Sequence, residues 1–125
     1  MEITTSIFLT QGPQNSITCQ GEKQWLQCPP YQLIRVNNAF WGRDDPTTCT
    51  RSGIQHGLIT DRNCPQDEQN TLAKVSDQCK DVNACEVSAS PVFFDRTDCT
   101  GVYKYLRINY DCLPEESRVK VPLGK

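Results

Sequence analysis

The chain is poor in catalytic and charge-based machinery. One histidine, His56, is the sole imidazole in 125 residues, so any Ser-His-Asp or Cys-His system would have to use it. No G-x-S-x-G element accompanies it, and its neighbours Arg51, Gly53, Gln55 and Gly57 read as an exposed loop. The seven glycines are scattered, so no phosphate-cradling loop forms, and no EF-hand spacing occurs. Asp44, Asp45, Asp95 and Asp98 are the acids available for a carboxylate pair, but they read as solvated or capping loop residues. These absences argue against an enzyme. Thirteen basic residues against fifteen acidic ones leave a formal charge of −2, so no global basic field points to nucleic acid or an anionic membrane. No run approaches the roughly 18 apolar residues of a membrane span, so membrane insertion by this stretch is not expected. The sequence also holds no N-x-S/T sequon.

Cysteine is what the chain has in excess. Eight occur, at Cys19, Cys28, Cys49, Cys64, Cys79, Cys85, Cys99 and Cys112, and none forms a C-x-x-C pair. The gaps between neighbours run from 6 to 21, too wide for the two-to-four-residue knuckle of a zinc site. No metal or other cofactor is implied. Four disulfides in an oxidising compartment are the natural reading. Each restricts the unfolded chain by about 2–4 kcal/mol, which supplements a modest core. Met1 to Leu9 lacks the basic n-region and long apolar h-region of a signal peptide. The expectation is therefore a mature or excised extracellular fragment, secreted or from a cell-surface ectodomain, with a non-native Met1.

The organisation suggests one domain, with residues 1–16 as an extension, 17–112 as the closed unit and 113–125 as a linker or tail. Ile7, Phe8 and Leu9 could add an edge strand. Ser16–Cys19 and Gln24–Cys28 flank the polar turn Gln20-Gly21-Glu22-Lys23 and predict a hairpin. Gln32–Asn37 predicts another strand. Val102–Cys112 predicts the clearest, with Val102, Leu106, Ile108 and Tyr110 on one face and Lys104 interrupting it. A helix is predicted through Leu72, Val75 and Cys79, capped by Asp67 or Asn70. Asp44-Asp45-Pro46 reads as a turn. The class is α+β, mainly β: an antiparallel β-sandwich with one or two short helices in a long connection.

Two clusters then stand out: Ala39-Phe40-Trp41-Gly42-Arg43, and Thr97-Asp98-Cys99-Thr100-Gly101-Val102-Tyr103-Lys104-Tyr105-Leu106. With Cys19-Gln20-Gly21 and the closing Cys112, they resemble the SUEL-type, rhamnose- or galactose-binding lectin domain of egg lectins and latrophilin-like receptor ectodomains. That family reads roughly C-E-G, A-N-Y-G-R and D-P-C-x-G-T-Y-K-Y-L. The resemblance spans about residues 17–112, and all eight cysteines find a counterpart. It implies the bridges Cys19–Cys49, Cys28–Cys112, Cys64–Cys99 and Cys79–Cys85. Spacing alone leaves 105 pairings open.

The resemblance also implies calcium-independent binding of L-rhamnose or D-galactose. Of the family's sugar contacts, the glycine and lysine recur as Gly101 and Lys104. Gln20 stands for the glutamate, Phe40 for the asparagine and Thr97 for the aspartate. Gln20 keeps an acceptor and loses a charge. Lys104 either meets vicinal hydroxyls or packs its stem and snorkels its head. Trp41 either stacks on a sugar's C–H face or belongs to the core, while Arg43 either pairs with Asp44 or Asp45 or holds its loop. The carbohydrate-binding set is therefore Gln20, Gly101 and Lys104, with Trp41 nearby. Two functions follow: a glycan-recognition module, or a receptor ectodomain that has lost the monosaccharide site and binds a protein in adhesion or guidance. The latter would use exposed Phe40 and Trp41 as anchors.

Overall fold

The computed structural model describes residues 13–65, 68–94 and 99–115. Among the described residues, five strands form two antiparallel sheets. β1 (Gln14–Cys19), β5 (Tyr105–Pro114) and β3 (Gln32–Gly42) make the larger in the order β1-β5-β3, and β2 (Lys23–Gln27) pairs with β4 (Ala84–Ser88). The long connection from β3 to β4 carries two helices, α1 (Thr50–Gln55) and α2 (Glu68–Cys79), and a single turn, α3 (Pro91–Phe94), follows β4. The mainly β class with short helices holds. The stretch Ile7–Leu9 lies outside the described residues.

The predicted hairpin does not form. The turn is present, with Glu22 N–H donating to Cys19 O at 3.0 Å, but among the described residues β1 pairs with β5 and β2 with β4. The turn carries the chain from one sheet to the other. Gly21 sits there at φ +93°, a conformation open to glycine at little cost. The edges of the crossing are held by Gly21 N–H to Ala89 O and Ala89 N–H to Glu22 O.

The predicted strand at Gln32–Asn37 continues to Gly42 through a bulge between Val36 and Asn38. An extra residue reverses which side chains face the core. Before the bulge Ile34 is inward, and after it Ala39 and Trp41 are. They lie opposite Cys112, Ile108 and Leu106 of β5. Asn37, at the bulge, donates to Asn109 Oδ1 at 2.9 Å and Asp111 Oδ2 at 3.1 Å. Alternation in the last predicted strand is correct for Leu106, Ile108 and Tyr110, whereas residues 102–105 are buried on both sides and pairing starts at Tyr105.

The core fills the space between the sheets with Leu26, Val87, Trp41, Leu106 and Ile108, and α2 closes it by packing on β3 and β4. The buried stripe of α2 is Thr71, Val75 and Cys79, at intervals of four. Leu72, predicted to be inward, is only half-buried, because the stripe is rotated by one residue. Asn70 lies inside the helix and so does not cap it, while Asp67 lies outside the described residues. The four disulfides are Cys19–Cys49, Cys28–Cys112, Cys64–Cys99 and Cys79–Cys85, the set that the resemblance implied.

Candidate functional site

The C-terminal end of β1, the loop after α1, the start of α3 and the turn before β5 converge at one end of the sheets. Two disulfides and a bridge bring them there. Cys19–Cys49 ties the residue before Gln20 to the base of α1, and Cys64–Cys99 anchors the turn that holds Gly101. Ile59 then clips the two loops together: its N–H donates to Gly101 O and its carbonyl accepts from Tyr103 N–H, both at 2.8 Å. Between them lies a cleft of about 300 Å³ lined by Gln20, Leu58, Pro91, Thr100, Gly101 and Lys104. A second lobe of about 280 Å³ shares Gln20 and Leu58 and adds Gly21, His56 and Tyr103.

Gly101 holds φ at +92°, the left-handed region that a side chain resists, and a Cβ added there would meet nothing within 4 Å. Backbone conformation, and not space, calls for glycine here. Lys104 is only 3% exposed. Its ammonium donates to Val102 O at 3.0 Å and Cys99 O at 3.3 Å, and stands 5.9 Å from the Trp41 ring centre. The lysine head is thus held inward by carbonyls and an aromatic face and does not snorkel into solvent. Gln20 is tied at three points. Its N–H donates to Lys104 O at 2.9 Å, its carbonyl accepts from Tyr103 Oη at 2.9 Å, and its side-chain Oε1 accepts from Lys104 N–H at 2.8 Å.

Three of the four predicted site residues therefore share one cleft. The fourth, Trp41, does not. It is 0% exposed, and its indole stacks on Phe94 with ring centres 5.1 Å apart and planes at 23°. Its face is occupied inside the core, so stacking on a ligand is ruled out in this arrangement; it supports Lys104 from beneath. Phe40 is 6% exposed and projects from the opposite face of β3, under the Arg107 guanidinium at 4.7 Å and beside Tyr105 at 5.9 Å. The expected exposed aromatic pair is not at the surface. Thr97 and Asp98, with Asp95, lie outside the described residues.

Leu58, Pro91 and His56 were not singled out as site residues from the sequence. His56 does sit on an exposed turn, as its neighbours suggested, but its ring stacks on Tyr103 at 5.8 Å. Tyr103 is far away in sequence, so only the Ile59 clip reveals that pairing.

A separate network surrounds Arg43, which is fully buried. Its Nε donates to Tyr103 O at 2.6 Å, Nη1 to Asp45 O at 2.6 Å and Nη2 to Thr48 O. Arg43 holds its loop through backbone carbonyls. Asp45 accepts from Thr47 and Thr48 N–H, and these bonds, led by Thr48, draw its pKa down to about 2. Asp44 takes Arg107 at 2.9 Å and the Tyr105 hydroxyl. Arg107 holds the Asp44 carboxyl below its usual range, while burial, then the hydrogen bond to Asp44, push Tyr105 up to about 12. Neither acid is poised as a proton donor near neutral pH.

Comparison with known sequences places these features together. Residues 26–112 match the D-galactoside/L-rhamnose binding SUEL lectin domain. The chain belongs to the SUEL lectin family. It is 36% identical over 96 residues to the L-rhamnose-binding lectin SML of Scomberomorus niphonius, covering 77% of this chain and 45% of that protein. Over 100 residues it is 39% identical to L-rhamnose-binding lectin CSL1 of Oncorhynchus keta, covering 80% of this chain and 32% of the other. Human adhesion G protein-coupled receptor L1 is 32% identical over 109 residues, 86% of this chain and 7% of the receptor. The chain thus spans less than half the length of these relatives. As a SUEL lectin domain, it sets Gln20, Gly101 and Lys104 around one cleft.

Proposed function

We propose that this SUEL lectin domain is an extracellular, non-enzymatic carbohydrate-recognition module that takes a rhamnose- or galactose-type sugar in the cleft of Gln20, Gly101 and Lys104. The observation that carries the reading is the convergence of these three residues, distant in sequence, on one cleft. Each has a physical part to play. Lys104 brings a charged group to the cleft, Gly101 exposes backbone without a Cβ, and Leu58 and Pro91 offer an apolar wall to a sugar's C–H face. Two relatives are named as rhamnose-binding lectins, which supports the same ligand class. The four disulfides support a secreted or cell-surface setting.

Titration with L-rhamnose and D-galactose, followed by amide chemical shifts, tests the reading. Saturable shifts at Gly101 and Lys104 are expected, and their loss in Lys104→Ala. Silence at high millimolar sugar overturns it. The alternative, a receptor ectodomain that binds a protein in adhesion or guidance, takes support from the receptor among the relatives. The burial of Phe40 and Trp41 removes the anchors on which it rested, so the glycan reading is favoured.

A further inference from the structure

Gln20 stands where the resemblance has a glutamate, and its bonding decides more than the loss of a charge. The Lys104 N–H it meets at 2.8 Å is a donor, so the side chain must turn its carbonyl oxygen to it. The amide NH₂ is then the end left to face outward. Nε2 makes no hydrogen bond among the described residues and is not one of the buried polar atoms lacking a partner. A glutamate held by the same Lys104 N–H would present its second oxygen as an acceptor. Gln20 presents a donor in its place. The substitution reverses the hydrogen-bonding polarity at one wall of the cleft.

Among the described lining residues no carboxylate occurs, and the charged side chain is Lys104. A sugar hydroxyl that accepts from the Gln20 amide still has its own proton to place, and on Gln20 only the second lone pair of a neutral oxygen already bonded to Lys104 N–H could take it. A carboxylate oxygen carries only lone pairs and meets the same donor without that loss, through a charge-assisted bond. We infer that the cleft prefers a carboxylated sugar, of the uronic acid type, over its neutral counterpart, because Gln20 turns a donor into the position where the family pattern has an acceptor. The inference rests on the cleft being the sugar site.

D-galacturonate and D-galactose differ only at C6 and are the probes. Calorimetric titration of the whole chain is expected to show galacturonate bound roughly five- to tenfold more tightly. Gln20→Glu keeps an oxygen for Lys104 N–H and is expected to invert the order. Gln20→Met is neutral and cannot donate; it separates the amide from the charge of Lys104, and the acid preference should fall toward unity. Amide spectra check that each variant is folded, and the preference of the native chain stands as a test without either. Equal binding of the two sugars by the native chain overturns the inference and leaves the sugar site standing, and so does a preference that survives Gln20→Met. Failure of both sugars to bind overturns the inference, and failure of L-rhamnose as well overturns the sugar site with it.

Discussion

Two polar clusters flank the junction of β3 and β5, and they use similar residues for different ends. Around Arg43, polar groups turn on one another: the guanidinium takes three carbonyls, Asp45 takes two backbone N–H groups, and Asp44 takes Arg107 and Tyr105. Around Gln20, two loops are clipped edge to edge and leave a cleft between them. The first cluster shares little with solvent at its centre, because Arg43 is sealed. In the second, the Gln20 side-chain oxygen takes the Lys104 N–H at the wall of a cleft. A family motif that spans both regions therefore divides into a part that holds the fold and a part that lines a cleft.

The largest effect should come from breaking the first cluster. Arg43→Ala strands the carbonyls of Tyr103, Asp45 and Thr48 and should cost roughly 3–5 kcal/mol, read as a lowered urea midpoint. Arg43→Lys should recover little of this, since one ammonium cannot reproduce the planar fork. An Arg43→Ala midpoint within experimental error of the native one would erase the distinction between the regions. Next in size, Gly101→Ala should cost about 1–2 kcal/mol through its φ of +92°, even though the Cβ has room. It should also weaken sugar binding, whereas Arg43 variants that remain folded should retain it.

A smaller effect concerns acid. Asp45 is held at about 2 against an ordinary 3.8, so it binds its proton less readily when folded than when unfolded. Its contribution is complete above 3.8 and disappears as the pH falls through about 2. Thermal midpoints measured across that window should fall for the native chain and fall less steeply for Asp45→Asn. Identical slopes would show that these bonds do not couple to folding. The smallest effect is expected from His56→Ala. Its ring is exposed and stacks on Tyr103, so stability should change by less than about 0.5–1 kcal/mol, measured by urea unfolding.

Much of this was legible in the sequence, and the reasons differ by element. The apolar alternation of Leu106, Ile108 and Tyr110 and the four-residue spacing of Val75 and Cys79 are local periodicities, and both took their predicted form. The motif residues Gly101 and Lys104 carried the resemblance by their order along the chain. The failures share one cause, since each depended on which distant segment lay alongside. Gln20-Gly21-Glu22 has the composition of a hairpin turn, yet β5 and β4 compete better for its two flanking strands. Phe40 and Trp41 sit next to each other, and one bulge at Asn37 decided that Trp41 faces the core and Phe40 faces Arg107. Gln20 is a single letter that keeps an acceptor on paper; in the fold that acceptor already bonds the Lys104 N–H. Residue type determines what a side chain can donate, accept or bury. The tertiary structure decides which of those capacities is already taken, because hydrogen bonds and packing are settled between segments far apart in the chain.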